Sequence, residues 1–257
     1  MKKILYKLLP LKSYLKLLHV SYRFLYSTKI LKNDPSYKFH YFDKNIIQEG
    51  WTVLDIGANM GYFTVLFSEW VGNKGMVYAV EPVIHFFEIL SWATRKRSNV
   101  KLFNYALGEE EKEITMVTPG NFGYLRTGLP HVSSEADLQE SHEFTFKAKM
   151  TRASQLFGKI PKIDFIKCDI EGYEDIVLPE MKNVLVKFKP IIQLETWGEH
   201  QARIEPFLEG LGYDIYTVEN DKVIPISNKK SDVFSDLLFI HKDNNKILEL
   251  LKSKNLA

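Results

Sequence analysis

The sequence predicts an α/β fold in which a parallel sheet carries helices on both faces, preceded by a helical extension. Three observations lead there. From Trp51 onward, short β-rich runs alternate with helical patterns, as strand–helix–strand units do. The first unit, "VLDIGANMGYFT" (53–64), is an apolar run ending in an acid, then glycines, then a helix start. Ahead of it, residues 1–48 form a basic stretch with amphipathic helical spacing.

In that extension Ile4, Leu8, Leu11, Leu15, Leu18, Tyr22 and Leu25 recur at spacings of three and four, one stripe of a helix that Pro10 divides into two pieces. Lys2, Lys3, Lys7, Lys12, Lys16, Arg23, Lys29 and Lys32 are all basic, and the first acid is Asp34. Lysines interrupt every apolar run and no small-residue cleavage site follows, which argues against a secretory signal. No stretch of roughly 18 uncharged apolar residues is present to span a bilayer. Two readings stay open: a cap docked on the main fold, which is preferred, and peripheral contact of residues 1–33 with an anionic membrane.

The main domain is expected over 49–257. "TVLDI" is the first strand and "GYFTVLFSEWV" its helix; "GMVYAVEP" is the second strand, which Pro82 helps end. "HFFEILSWATRKR" is helical, "NVKLFNYAL" the third strand, "KIDFIKCDI" the fourth, "EDIVLPEM" a short helix and "KPIIQLET" the fifth strand. "YDIYTV" and "SDLLFIHK" follow as strands, and "NNKILELLKSK" closes the chain as a helix. Between Gly108 and Thr151 the rhythm fails. There "KEITMVTP" and "HEFTFKAKM" alternate like exposed strands around a loop rich in Gly, Pro and Ser. A connection of that length is uncommon unless functional or disordered. The insertion, about 109–150, is expected over the carboxyl ends of the strands, where open α/β sheets bind ligands.

Composition narrows the class. The chain has 257 residues, 45% hydrophobic and 26% charged, with a formal net charge of +2. That is an ordinary globular balance with no general pull toward nucleic acid. The single cysteine, Cys168, excludes an internal disulfide and fits a reducing, cytoplasmic setting; no Cys/His spacing resembles a zinc site.

The glycine loop is the most informative stretch. Gly57 and Gly61 are spaced G-x-x-x-G with Asn59 between them, unlike the G-x-G-x-x-G of dinucleotide sites or the phosphate loop of nucleotide triphosphatases. Asp55, at the strand end, would repel a pyrophosphate and suits a ligand with a cationic amino-acid head, such as S-adenosylmethionine. Gly57 and Gly61 would let backbone approach it closely, with Tyr62 opening the helix. Glu81 ends the second strand, about 20 residues on, where a ribose diol is read. Asn104, Tyr105 and Ala106 end the third strand, where the adenine is expected. A NAD oxidoreductase would also use an acid such as Glu81; the loop spacing disfavours it.

Taken together, "VLDIGANMGYFT", "AVEP", "NYALG", "DFIKCDIEGYE" and "PIIQLET", from about Glu49 to about Lys242, resemble the FkbM-type S-adenosylmethionine-dependent methyltransferases. D-I-G-A-N-x-G combined with K-x-D-x-E-G-x-E is far more specific than either motif alone. The resemblance implies a class I, Rossmann-like methyltransferase fold with seven strands, mostly parallel, the last antiparallel. It implies S-adenosylmethionine as cofactor and O-methylation of a hydroxyl on a sugar or glycan, a polyketide or another small molecule.

For the chemistry, strand alternation places Lys167, Asp169 and Glu171 on one side of an extended run. Charges converging at a strand's carboxyl end must be paired or functional. A Lys167–Glu171 ion pair is the structural alternative. Removal of a hydroxyl proton needs a base within reach: Asp169 and Glu171 lead, Glu195 is third, and His131, His142 and His200 are further candidates. Asp169 and Glu195 could instead share a Mg²⁺ ion, a less favoured reading. Two other functions remain open: an RNA methyltransferase, disfavoured because "DIEGYE" lacks a proline pair, and a methyltransferase-fold binding module without turnover. The sequence does not set an oligomeric state.

Overall fold

Strand β1 (Thr52–Ile56) sits inside the sheet, with its side chains covered on both faces. Only its first residue is partly exposed, as expected of a parallel strand covered on each side. The computed structural model describes residues 2–118, 124–133, 144–226 and 236–256. Three helices precede β1: α1 (Lys2–Leu8), α2 (Leu11–Ser27) and α3 (Lys38–Phe42). After it come α4 (Tyr62–Val71), β2 (Met76–Val80), α5 (Ile84–Thr94) and β3 (Val100–Phe103). The insertion supplies β4 (Ala106–Gly108), β5 (Lys112–Val117), β6 (His131–Val132) and β7 (Thr145–Arg152), followed by α6 (Ala153–Phe157). The second half runs β8 (Phe165–Cys168), α7 (Glu174–Glu180), α8 (Lys182–Phe188), β9 (Ile191–Glu195) and α9 (Gly198–Gly210). It ends with β10 (Tyr213–Glu219), β11 (Lys222–Pro225), β12 (Asp236–His241) and α10 (Asn245–Ser253).

Among the described residues the main sheet has eight strands in the order β11-β10-β12-β9-β8-β1-β2-β3. β3, β2, β1, β8 and β9 pair in parallel, while β12 is antiparallel to both β9 and β10 and β11 is antiparallel to β10. The sheet is therefore mixed, and the expectation of seven mostly parallel strands is corrected. The extra strand is β11, folded onto β10 through Asn220 and Asp221, whose φ values are 52° and 61°. Two positive φ angles in a two-residue loop match the twist of paired strands.

Alternation of side chains divides the core between the two faces. Leu54, Ile166 and Leu194 point toward Phe157, Val177, Ile204 and Leu208 of α6, α7 and α9. Val53, Phe165 and Leu238 point toward Phe39, Phe42, Phe67, Val71 and Ile247 of α3, α4 and α10.

The predicted third strand breaks at Asn104 and Tyr105. β3 stays in the main sheet, while β4 joins a second sheet of order β4-β7-β5-β6. The strands expected to be exposed instead bury one face: Ile114, Met116, Phe146, Ala148 and Met150 pack with Tyr14 and Leu15 of α2 and Phe86 of α5. Parts of the insertion, 119–123 and 134–143, lie outside the described residues.

The extension docks by the same cluster. Tyr14 and Leu15 are fully buried, Tyr22 packs its ring 4.4 Å from that of Tyr62, and Arg23 pairs with Glu69 at 2.8 Å. Pro10 divides the stripe into two helices as expected, but the α1 part is not buried: Ile4 and Leu8 are 63% and 73% exposed.

Candidate active site

Glu81 ends β2 with both carboxylate oxygens anchored to backbone. The amide of Asn59 donates to Oε2 and that of Val83 to Oε1, each at 2.8 Å. The tie from Asn59, whose φ is 51°, holds the glycine loop against the end of β2. Glu81 is nearly enclosed, and burial pushes its carboxyl up to about 8 despite those two amides. Each oxygen keeps a lone pair for a further donor, and the side chain lines a cavity of about 270 Å³ at the carboxyl ends of the strands.

Gly57, Asn59, Tyr105, Ala106, Asp169 and Glu171 line the same cavity. Its apolar wall is Val83, Phe86 and Leu107, and the insertion closes over it with Met116, Thr127, Gly128, Pro130 and Val132. Asn59 fixes that cover, its side-chain amide donating to the carbonyl of Thr127.

Four sequence candidates stand back from the cavity. Asp55 is fully buried, accepts a bond from the Thr64 hydroxyl at 2.5 Å and leaves Oδ1 without a partner. Gly61 is the N-cap of α4, with φ 86°. Tyr62 stacks on His19, ring centroids 5.7 Å apart, at the seam with α2. Asn104 donates to the carbonyls of Glu81 and Pro82 at 2.8 and 3.0 Å, which shapes the turn that carries Glu81.

The charged run after β8 is not extended throughout, so the expected alignment of Lys167, Asp169 and Glu171 is corrected. The chain turns at Glu171 and Gly172, with φ 55° and 93°. Glu174 closes that turn by accepting from the amides of Ile170 and Gly172 at 2.7 and 3.1 Å. Lys167 pairs with Asp169, not Glu171, at 2.8 Å. Burial disfavours the Lys167 ammonium, yet Asp169 and Asp55 outweigh it and hold its pKa above the usual range. Glu171 faces the first cavity, and burial followed by the charge of Asp169 pushes it up to about 8.

A second cavity of about 310 Å³ adjoins the first, and Asp169 and Glu195 line both. Its remaining polar groups are Lys167, Gln193 and Asp236, and the extension contributes Ser36, Phe39 and His40. Register explains the convergence: Lys167 pairs with Gln193 across β8 and β9, and Glu195 with Asp236 across β9 and β12. Burial, then the charges of Asp169 and Asp236, pushes Glu195 up to about 9. His40 lies with its ring 3.8 Å from that of Phe63, and burial plus Lys167 lowers it to about 3, leaving a neutral imidazole. Gln193 Oε1 and His40 Nδ1 are buried without a hydrogen-bond partner.

Gln193 was legible as the residue two before Glu195 on one strand face. His40 and Asp236 carry no such signal, because only the packing of distant segments brings them here. Of the other histidines, His200 pairs with Asp175 at 3.0 Å and His131 Nδ1 lies 3.2 Å from the Leu129 carbonyl. Neither lines a cavity described above, and His142 lies outside the described residues. The Asp169–Glu195 pair is a poor Mg²⁺ site, because the Lys167 ammonium already compensates Asp169. No group of three or more metal-ligating side chains is found among the described residues.

Comparison with known proteins bears on the fold and the family. A methyltransferase FkbM from Methylobacillus flagellatus superposes with a TM-score of 0.53 at 14% identity, covering 78% of this chain. This chain spans 46% of that one's length. Fibrillarin from Aeropyrum pernix, bound to S-adenosyl-L-methionine, gives 0.45 at 12% identity, covering 76% of this chain and 68% of its own. A SAM-dependent O-methyltransferase from Thermotoga maritima gives 0.43 at 12%, covering 80% and 63%. No curated protein matches. The model of the methyltransferase FkbM domain matches residues 55–215, from the acid that ends β1 into β10. With that match spanning more than half of its length, the chain belongs to the FkbM methyltransferase family.

Proposed function

We propose that this FkbM-family methyltransferase moves the methyl group of S-adenosylmethionine to a hydroxyl oxygen of a sugar, glycan, polyketide or similar small molecule. The cofactor would occupy the first cavity and the acceptor the second. One observation carries the reading: Asp169 and Glu195 are common walls of the two cavities, so a group bound in either meets the same two carboxyls.

The residues of the first cavity fit the cofactor. Glu81 has lone pairs left for a ribose diol, Val83, Phe86, Ala106 and Leu107 offer an apolar slot for the base, and Gly57, Asn59 and Asp169 form the polar end. When bound, the sulfonium supplies the electrophilic methyl group. The chain must then orient the acceptor oxygen and take its proton. Asp169 is placed for this. Lys167 holds its carboxylate by a hydrogen bond at 2.8 Å, leaving lone pairs for the acceptor hydroxyl as its O–H bond weakens.

The second cavity favours neutral polyhydroxyl acceptors. Gln193 Oε1 is an acceptor lacking a donor, and the neutral His40 ring keeps Nδ1 without a partner; leaving such groups unmet in the bound state is costly. Among the described residues Lys167 is the only Lys or Arg lining that cavity, and it is already paired with Asp169, which opposes phosphate and therefore an RNA acceptor. The test is transfer of a labelled methyl group to panels of neutral sugars, polyketide alcohols and RNA. Label on a neutral hydroxyl compound, lost in Asp169→Asn, is the expected result; label on RNA alone, or none on any panel, overturns the acceptor class.

A further inference from the structure

α2 has two apolar faces, and the fold covers one of them. Tyr14, Leu15 and Tyr22 are buried against the domain. On the far side Leu17, Val20 and Phe24, at helical spacings of three and four, are 39%, 50% and 61% exposed. Ile4 and Leu8 of α1, with Ile30 just beyond α2, extend the exposed set. Six of the ten large hydrophobic side chains exposed among the described residues thus lie within the first 30 positions. Isolated apolar residues on a surface are ordinary, whereas a concentrated set marks an interaction site.

Charge identifies the partner. No acid occurs before Asp34, and Lys2, Lys3, Lys7 and Lys29 are exposed with no ion pair found among the described residues. Lys12, Lys16 and Arg23 are engaged with the domain, through Glu88, the ring of Trp92 and Glu69. Exposed lysines in the same 30-residue segment as exposed leucine, valine and phenylalanine are the composition of helices lying in a membrane interface. A protein partner would need acids facing these lysines, and α1 and α2 offer none of their own to a second copy. No helix of the described residues is long and apolar enough to cross a bilayer.

We propose that Leu17, Val20 and Phe24, with Ile4, Leu8 and the free N-terminal lysines, form a reversible docking face for an anionic lipid bilayer. The docked-cap and membrane readings of the extension are then compatible, because they use opposite sides of α2. The inference stands apart from the acceptor assignment, since α2 lines neither cavity. It places the enzyme where acceptors displayed at a bilayer are concentrated.

The test uses the full chain and vesicles of phosphatidylcholine alone or with 30% phosphatidylglycerol. The wild type should sediment with anionic vesicles at low salt and be released as salt screens the lysines. Each lysine at such a surface contributes about a fivefold change in affinity, so Lys2, Lys3 and Lys7→Glu should weaken binding by at least a hundredfold. Leu17, Val20 and Phe24→Ser should weaken it about tenfold or more, with an unchanged melting temperature. Absence of binding to anionic vesicles, equal binding to neutral ones, or full binding by the serine variant overturns the proposal. So does a concentration-dependent dimer of the wild type, abolished in the serine variant, without vesicle binding.

Discussion

Lys167 Nζ lies 2.8 Å from Asp169 Oδ2, one residue past the end of β8, and the lysine is almost wholly buried. The pair fixes the carboxylate at the wall between two cavities. Asp169→Asn should leave adenosylhomocysteine affinity within about threefold, under about 0.7 kcal/mol, while lowering turnover by about 10²–10⁴-fold. Calorimetry and single-turnover assays check the two halves. Full turnover in the variant removes Asp169 from proton transfer.

Lys167→Met tests the other partner. It leaves buried carboxyls without compensation, and breaking such a pair costs about 3 kcal/mol, read as a lower urea midpoint. A double change with Asp169→Asn should recover part of that loss. If the double variant is no more stable than the single one, the two side chains are not coupled.

Glu81, pushed up to about 8 by burial, should make cofactor binding depend on pH. Ribose hydroxyls donate hydrogen bonds and so favour the ionised carboxylate. Affinity for adenosylhomocysteine should therefore rise by about tenfold from pH 7 to pH 9, with a proton released on binding. Glu81→Gln should bind more weakly and show a flat profile. A wild-type profile that is also flat would argue that Glu81 does not meet the ligand.

The ligand-free protein should lose stability over a related range. Glu81, Glu171, Glu174 and Glu195 sit at about 8, 8, 7 and 9, each above its unfolded value. The folded state therefore binds more protons than the unfolded one, and this contribution is lost as pH rises through the folded pKa values. His19 and His40 have the opposite sign, being lowered to about 4 and 3, but above about pH 6.5 both are mostly neutral in either state. The melting temperature should fall steadily from pH 6.5 to 9, and Glu195→Gln should flatten the decline. A rise over that interval contradicts the assignment of buried neutral carboxyls.

Gly57, besides lining the first cavity, is constrained by backbone. A Cβ there would lie 1.7 Å from the Asp169 carbonyl oxygen, at a φ of +80°. Gly57→Ala should destabilise by more than about 4 kcal/mol or yield no soluble protein. Gly198→Ala is the control: φ is +55° with nothing within 4 Å, so only backbone strain of about 1–2 kcal/mol remains. Equal thermal shifts in the two variants would refute the close-approach argument.

Much of this molecule was legible in its residues. The succession from β1 to β3, then β8, α7, β9, β10 and β12, follows from hydrophobic period and turn residues, because those patterns are local, whereas α6, α8, α9 and β11 were not read. The glycine loop, Glu81 and the pairing of D-I-G-A-N-x-G with the DIEGYE turn marked the family, since each motif lies at a strand end where the chain must turn. Tertiary structure alone decided the rest. It drew Asp55 and Tyr62 away from the cavity, because a fully buried carboxyl takes the nearest hydroxyl, Thr64, and an aromatic ring takes the nearest apolar seam. It split the third strand at Asn104 and gave the described strands of the insertion a buried face. It also brought His40, Gln193 and Asp236 around Asp169 from positions far apart in the chain. Local pattern cannot encode such meetings, which depend on strand register and on which helix face finds a partner.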